Sequence, residues 1–333
     1  MEIEGFESLA AIIAEEYPLG QALRVEPLPA VHQRRHRKLL VHMDKGRFLA
    51  KTYDRDPTVL DALRFQHRLS DHLDAHGLPI AHIQRARSGK RIVERGGWAI
   101  ELQVFVEGGL MRITRNSLTI AGDALGRFHE VCSGLPRPDR DARMWRFSEV
   151  PRQTFATLFE QAKKEGDPEV AIDCCNRIAL FLRDASQELS LEKRKAFENG
   201  LIHGDWHVGN LIYRDGQLAA IVDLEFAGEG CFLEDLAYGL SNLCVRTSSD
   251  AKRLEERITW FLRSYQRQRS LSFFEEAALY YAVGIKHVTT VSYQLPLLGG
   301  RLANMGAYDW IRRLAEQCEW LADKGMGIKT GNR

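Results

Sequence analysis

The feature that most constrains this chain is a change of hydrophobic period near Leu118. Before it, apolar and β-branched residues come in short runs: Ala22 to Pro27, Lys38 to Met43, Arg47 to Tyr53, Arg91 to Val93 and Trp98 to Val106. Asp44-Lys45-Gly46 and Gly96-Gly97 punctuate them, which predicts an antiparallel sheet of five strands. Two helices accompany it. One spans about 6–17 with Leu9, Ile12 and Ile13 one turn apart, and the other runs 57–76, opened by Pro57 and closed by Gly77-Leu78-Pro79. After Leu118 the period is helical, with segments predicted at 151–164, 168–189, 232–244, 250–268, 272–292 and 307–323, then a frayed end from Gly325. Only Leu201 to Ala227 interrupts this, where Asp215-Gly216 between two apolar runs predicts a hairpin.

Single cores stop growing near about 250 to 300 residues, so 333 residues fit two units. The chain reads as α+β: a small antiparallel sheet lobe over 1–106 and a larger, mainly helical lobe over 107–333. Its 46 Lys and Arg against 45 Asp and Glu leave a net charge of +1, without the field that nucleic acid or acidic lipid would need. No apolar run approaches the roughly 18 residues of a membrane span, and Met1-Glu2-Ile3-Glu4 places acids where a signal peptide is basic. A cytoplasmic monomer or homodimer is expected. The six cysteines form no C-x-x-C pair and read as reduced, buried thiols.

The interrupted segment carries the chemistry. His203, Asp205 and Asn210 have the spacing of a phosphotransfer loop, in which the Asp receives a hydroxyl proton and the Asn, five residues on, holds a metal ion. Asp223 ends the apolar run Ala219-Ala220-Ile221-Val222, and Glu225 follows two residues later. A carboxylate there would be costly to desolvate unless a site used it.

Leu201-Ile202-His203-Gly204-Asp205 with Asn210-Leu211-Ile212, and Ile221-Val222-Asp223-Leu224-Glu225-Phe226, resemble the catalytic loop and metal strand of the aminoglycoside phosphotransferase and choline kinase superfamily, which includes homoserine kinases of that fold. The resemblance covers most of the chain and implies a bilobal, protein-kinase-like fold. It implies Asp205 and His203 as catalytic residues, Asn210, Asp223 and Glu225 at Mg²⁺, and transfer from ATP to a small-molecule hydroxyl: an amino alcohol, a hydroxy amino acid, a sugar or an aminoglycoside-like antibiotic. Phe48-Leu49-Ala50-Lys51 resembles the strand whose lysine grips phosphates. Trp98 to Gly109 resembles the adenine hinge, with Gln103 and Phe105 as nucleotide contacts. Leu125 to His129 is similar to the helix after that hinge.

Two departures stand out. The loop Ala30 to Arg37 has no glycine but carries Arg34, Arg35 and Arg37, read either as phosphate contacts or as a solvated basic run. Where the family often has a glutamate partner for the lysine, this chain has Gln66, with Asp61 as a substitute. Three other readings compete. His203 and His207 at helical spacing suggest a zinc hydrolase. The glycine-free loop suggests a non-catalytic ATP-binding module. A bacterial-type protein Ser/Thr kinase is the third, opposed by the direct passage from Gly228-Glu229-Gly230 into a helix. Trp260, Tyr265, Phe273, Tyr280, Tyr281 and Tyr293 offer a cation cage, though their spacing suits a core better.

Overall fold

The structure, a computed structural model, describes residues 3–28, 37–136, 141–142 and 152–330. Its first elements are helix α1 (Ile3–Glu16), strands β1 (Ala22–Pro27), β2 (Arg37–Met43) and β3 (Gly46–Asp54), helix α2 (Pro57–Ala75), and strands β4 (Ile92–Arg95), β5 (Trp98–Val104) and β6 (Gly109–Leu110). Then come α3 (Arg115–Ser133), α4 (Arg152–Glu165), α5 (Pro168–Glu188), α6 (Leu191–Arg194), β7 (Asn199–Ile202), β8 (Leu211–Arg214), β9 (Gln217–Ile221), β10 (Gly228–Cys231), α7 (Phe232–Leu240), α8 (Ala251–Tyr265), α9 (Phe273–Leu297) and α10 (Ala307–Thr330). The chain divides into two compact units. One comprises Met1–Gly109, Ile212–Arg214 and Ala219–Glu225, and the other Leu110–Leu211, Asp215–Leu218 and Phe226–Arg333.

The first unit is built on the expected five-stranded antiparallel sheet, in the order β1-β2-β3-β5-β4. Gly96 and Gly97 both have positive φ, the conformation a two-residue hairpin turn needs, and they set the β4–β5 register. Ile13 of α1 and Tyr17 just after it join Leu39, Val41, Ala50, Ile100 and Leu102 in one core, while Leu60 and Leu63 of α2 pack with Tyr53 and Ala99. Asp56 caps α2 by accepting from Thr58 N at 2.8 Å, with Pro57 in its first turn. The sequence-based division at 106 leaves the β8–β9 hairpin wholly with the helical lobe. In the structure, Ile212–Arg214 and Ala219–Glu225 belong to the first unit, tied there by Ile221 N donating to Pro79 O at 2.7 Å and a parallel bridge from Ile80 to Ile221. The basic loop from Ala30 through Arg34 and Arg35 to His36 lies outside the described residues.

The second unit is mainly helical, with α3 against α8 and α4, α5, α9 and α10 packed together. The β7–β10 ribbon, Gly228 opposite Ile202, is absent from the sequence expectation because its glycine-rich strands are only four residues long. Helix α10 runs to Thr330 rather than fraying from Gly325. That glycine is buried, and a Cβ there would lie 2.5 Å from the Tyr281 ring, so it is a close-packing position and not a stop. Helix α7 passes into a π-helical turn over Ser241–Val245. All six cysteines are free, and five of them are buried. Among the described residues, no helix is long and apolar enough to cross a membrane.

A buried polar chain ties the π turn to α9 and α10. His287 Nε2 donates to Gln317 Oε1 at 2.8 Å, and Gln317 Nε2 donates to the carbonyls of Val245 and Ser248 at 2.8 and 2.6 Å. Nδ1 is thereby left to accept from the Ser241 hydroxyl, 3.3 Å away. Burial pushes the His287 pKa from 6.5 down to about 4, against the pull of the Gln317 bond. The native state thus binds fewer protons than the unfolded chain. Its stabilisation is complete above about pH 6.5 and is lost as pH falls toward 4, a change of about 3 kcal/mol. Urea midpoints measured from pH 7.5 to 4.5 should fall across that window in the wild type and fall less in His287→Gln. Parallel pH dependences would refute this account.

Candidate active site

The expected site residues fall into two clusters, one in each unit. In the first unit, strand register sets the geometry. Lys38 of β2 lies opposite Lys51 of β3, and Lys51 lies opposite Glu101 of β5, so the three side chains share a face. Asp223 joins them just past the end of β9. Lys38 Nζ sits 2.7 Å from Asp223 Oδ2, and Lys51 Nζ sits 3.5 Å from Oδ1. Asp223 has φ 66°, a strained conformation for a residue with a side chain, and its buried Oδ1 has no hydrogen-bond donor. Burial works against its ionisation, but Lys51 and Lys38 hold its carboxyl well below the usual range. Burial and the charge of Asp223 push Glu225 up to about 7.

The partner of Lys51 is neither Asp61 nor Gln66. Asp61 is turned to solvent, where it accepts from Arg64 Nη1 at 2.6 Å, and Gln66 lines a small cavity beside Lys51 as a neutral amide. The negative charge comes first from Asp223, 3.5 Å from its ammonium, and then from Glu101, 1% exposed, and Glu225. Glu101 is held by His67 Nε2 of α2 at 2.5 Å and by Gln103 Nε2 at 2.6 Å. Burial opposes the Glu101 charge, yet the His67 bond and Lys51 keep its pKa low. The acid expected from the helix is thus replaced by Asp223 past the end of β9 and by Glu101 on the neighbouring strand, which the register places opposite Lys51. Gln103 is committed to Glu101, and the Phe105 N–H donates to the Arg47 carbonyl at 3.0 Å, so that hinge donor is already used.

In the second unit, β7 delivers the loop that begins at His203. Gly204 has φ 79°, and a Cβ there would lie 2.7 Å from the Phe226 carbonyl, so the turn requires glycine. Asp235 of α7, fully buried, accepts from His203 N at 2.8 Å, Gly204 N at 3.0 Å and His129 Nε2 at 3.1 Å. His203, expected to be catalytic, has no accessible surface. Its Nδ1 accepts from Asp205 N at 3.1 Å and its ring packs against Phe128 and Trp206, so it shapes the loop without reaching a substrate.

Asp205 is the group on which donors converge. Asn210 Nδ2 at 2.9 Å and His207 Nε2 at 3.2 Å reach its Oδ2, and the Tyr238 hydroxyl at 2.9 Å reaches Oδ1. Burial would raise its pKa, but the His207 bond, the nearby imidazoles and Tyr238 lower it, so it stays ionised. Because Asn210 spends its N–H donors on Asp205, its carbonyl oxygen is the atom that can ligate a cation. His207 accepts from Gly209 N at 2.9 Å and caps the short 3₁₀ turn Val208–Asn210. It does not share a helical face with His203, which removes the geometric basis of the zinc reading. Sequence reasoning missed Asp235 and Tyr238. The available signal was an acid in the apolar run Phe232-Leu233-Glu234-Asp235-Leu236.

Among the described residues, no three His, Cys, Asp or Glu side chains gather into a metal cage. Mg²⁺ needs none, since it keeps waters and takes one or two carboxylates plus substrate phosphates. The donor-free oxygen of strained Asp223 fits such a ligand.

The fold and these clusters define a protein-kinase-like phosphotransferase. Residues 28–274 match the family described as APH, phosphotransferase enzyme family, and the chain belongs to it. A homoserine kinase of Caulobacter sp. (strain K31) is 27% identical over 278 residues, which is 82% of this chain and 80% of that one. Among solved structures, the microcompartment-associated aminopropanol kinase superposes with TM-score 0.67 at 16% identity, covering 97% of this chain and 99% of that one. An amicoumacin kinase in complex with AMP-PNP, Ca²⁺ and Ami superposes with TM-score 0.63 at 18% identity, covering 99% of this chain and 96% of that one.

Removing Glu101 strips a buried cation of one counter-charge. Glu101→Ala is expected to lower the unfolding free energy by about 3 to 5 kcal/mol, and Asp61→Ala to change it by less than about 0.5 kcal/mol, both read from urea titrations. Equal effects would return the partnership to the helix.

Proposed function

We propose that the chain transfers the γ-phosphoryl group of Mg-ATP to a hydroxyl of a small molecule, with Asp205 as the catalytic carboxylate. The observation that carries this reading is Asp205 itself, a largely buried carboxylate kept ionised by donors from His207, Asn210 and Tyr238. So weak a base aligns the acceptor hydroxyl and takes its proton late, which suits a transfer whose transition state is loose. Lys51 serves as a compact cation for phosphate oxygens. Asn210 and Asp223, with Glu225, are the proposed ligands of the divalent ion, and the stretch Gln103 to Phe105 lies beside the base. When bound, the ion neutralises charge developing on the phosphate oxygens.

Membership of a phosphotransferase family supports this over a non-catalytic module. The direct step from β10 into α7, with Cys231 at the helix cap, supports a small acceptor over a protein. Relatives named homoserine kinase and aminopropanol kinase point the same way.

Asp205→Asn should lower kcat by about 10² to 10⁴ while Mg-ATP affinity stays within a few-fold. Asp223→Ala should abolish the metal-dependent part of nucleotide binding in calorimetric titrations with and without Mg²⁺. Full turnover in the first variant, or unchanged metal dependence in the second, would sink the assignment.

A further inference from the structure

The stripe that begins at Tyr238 continues beyond it. Asn242 Nδ2 donates to the Tyr238 carbonyl at 3.0 Å, and Arg246 Nη1 donates to Asn242 Oδ1 at 3.2 Å. Two steps of four residues along an α-helix drift by about 80°. The wider π turn over Ser241–Val245, closed by Arg246 N donating to Ser241 O at 2.9 Å, offsets that drift and keeps the three residues in line. Helical side chains lean toward the N-terminus, so the guanidinium reaches back toward Tyr238, close enough for the two groups to influence each other's ionisation.

Arg246 is half-buried, and among the described residues no carboxylate lies within 4 Å of it. Its surroundings are neutral: the Asn242 amide, the Tyr238 phenol and the uncharged His287. The fully buried cations of the same unit are matched, Arg269 with Glu275 and Lys286 with Glu234. Half-burying a guanidinium without a counter-charge is unfavourable, and four of its five donors have no partner among the described residues.

We infer that Arg246 is the anion subsite of the acceptor, so that the substrate is a small hydroxy acid, including hydroxyl-bearing amino acids, whose carboxylate is held at Arg246 while its hydroxyl lies at Asp205. A planar fork of donors matches a carboxylate, and one cation among neutral groups balances a monoanion better than a phosphate dianion. The stripe, with Tyr238 bridging Asp205 to Asn242 and Arg246, limits the acid to a few carbons. This inference rests on the proposed phosphotransfer at Asp205.

The test compares acids with carboxylate-free partners: L-homoserine with 3-aminopropanol, L-serine with ethanolamine, and glycerate with ethylene glycol. Wild type, Arg246→Gln, Arg246→Lys and Asp205→Asn are assayed by steady-state ATP turnover. The wild type should favour at least one acid over its partner in kcat/KM by about 10- to 100-fold, the worth of a charged hydrogen bond. In Arg246→Gln that ratio should collapse toward one, mainly through KM, and Arg246→Lys should restore part of it. Calorimetric binding of the hydroxyl-free probe L-2-aminobutyrate gives an independent readout, with affinity expected in the wild type and lost in Arg246→Gln. Absence of acid preference, probe binding equal in both proteins or absent from the wild type, or a kcat loss common to acids and partners would overturn the inference. In the last case Arg246 would serve the phosphoryl group. Turnover of carboxylate-free partners that Asp205→Asn abolishes would leave the phosphotransfer reading standing, whereas turnover indifferent to Asp205→Asn would sink that reading itself.

Discussion

The loop that carries Asp205 depends on one buried carboxylate, that of Asp235. Two consecutive backbone N–H groups, His203 and Gly204, donate to it, and His129 donates from α3. Burial opposes its charge, but the His129 bond and the loop donors hold its pKa below the usual range, so it stays an acceptor. An ionised acceptor with no exposed surface leaves the loop one arrangement in which all these donors are satisfied. Asp205 inherits its place from that arrangement, two residues past His203 and across from Tyr238 on the same helix as Asp235.

The first unit uses charge differently. Lys38 and Lys51 converge on Asp223, and Glu101 balances Lys51 from the opposite strand. Lys51 and Glu101 are buried and Lys38 and Asp223 largely so, so removing one leaves the others poorly compensated, and the cluster responds as a unit. Strain at Asp223 adds to this: a left-handed conformation persists there because two lysines and the bridge at Ile221 over-determine it.

Much of this was legible in the sequence, for identifiable reasons. The sheet strands were readable because their alternation and turn chemistry are local, and Asp205, Asn210 and Asp223 because their spacing is. What escaped were pairings made by register and packing. Glu101 is an ordinary strand residue until β5 is laid against β3, and His207 looks like a surface histidine until the turn at Gly204 brings it to Asp205. Arg269 with Glu275, and Lys286 with Glu234, likewise become buried pairs only when the helices after residue 230 are packed. Nor do the aromatics form a cage: Tyr265 and Tyr281 are core residues, while Phe273 is 66% exposed.

The π turn after α7 has a consequence for how this chain diverges from others of its fold. Such a turn is a helix carrying one residue more than its hydrogen-bond ladder needs. Were the turn to close with regular α-helical pairing and all its residues kept, Arg246 would rotate by about 80° relative to Tyr238 and its guanidinium would leave the stripe, with the hydrogen bonds at Asp205 untouched. The direction of the Arg246 side chain is therefore set by the hydrogen-bond spacing of the π turn as well as by the residue's identity, which position-by-position comparison of side chains would overlook.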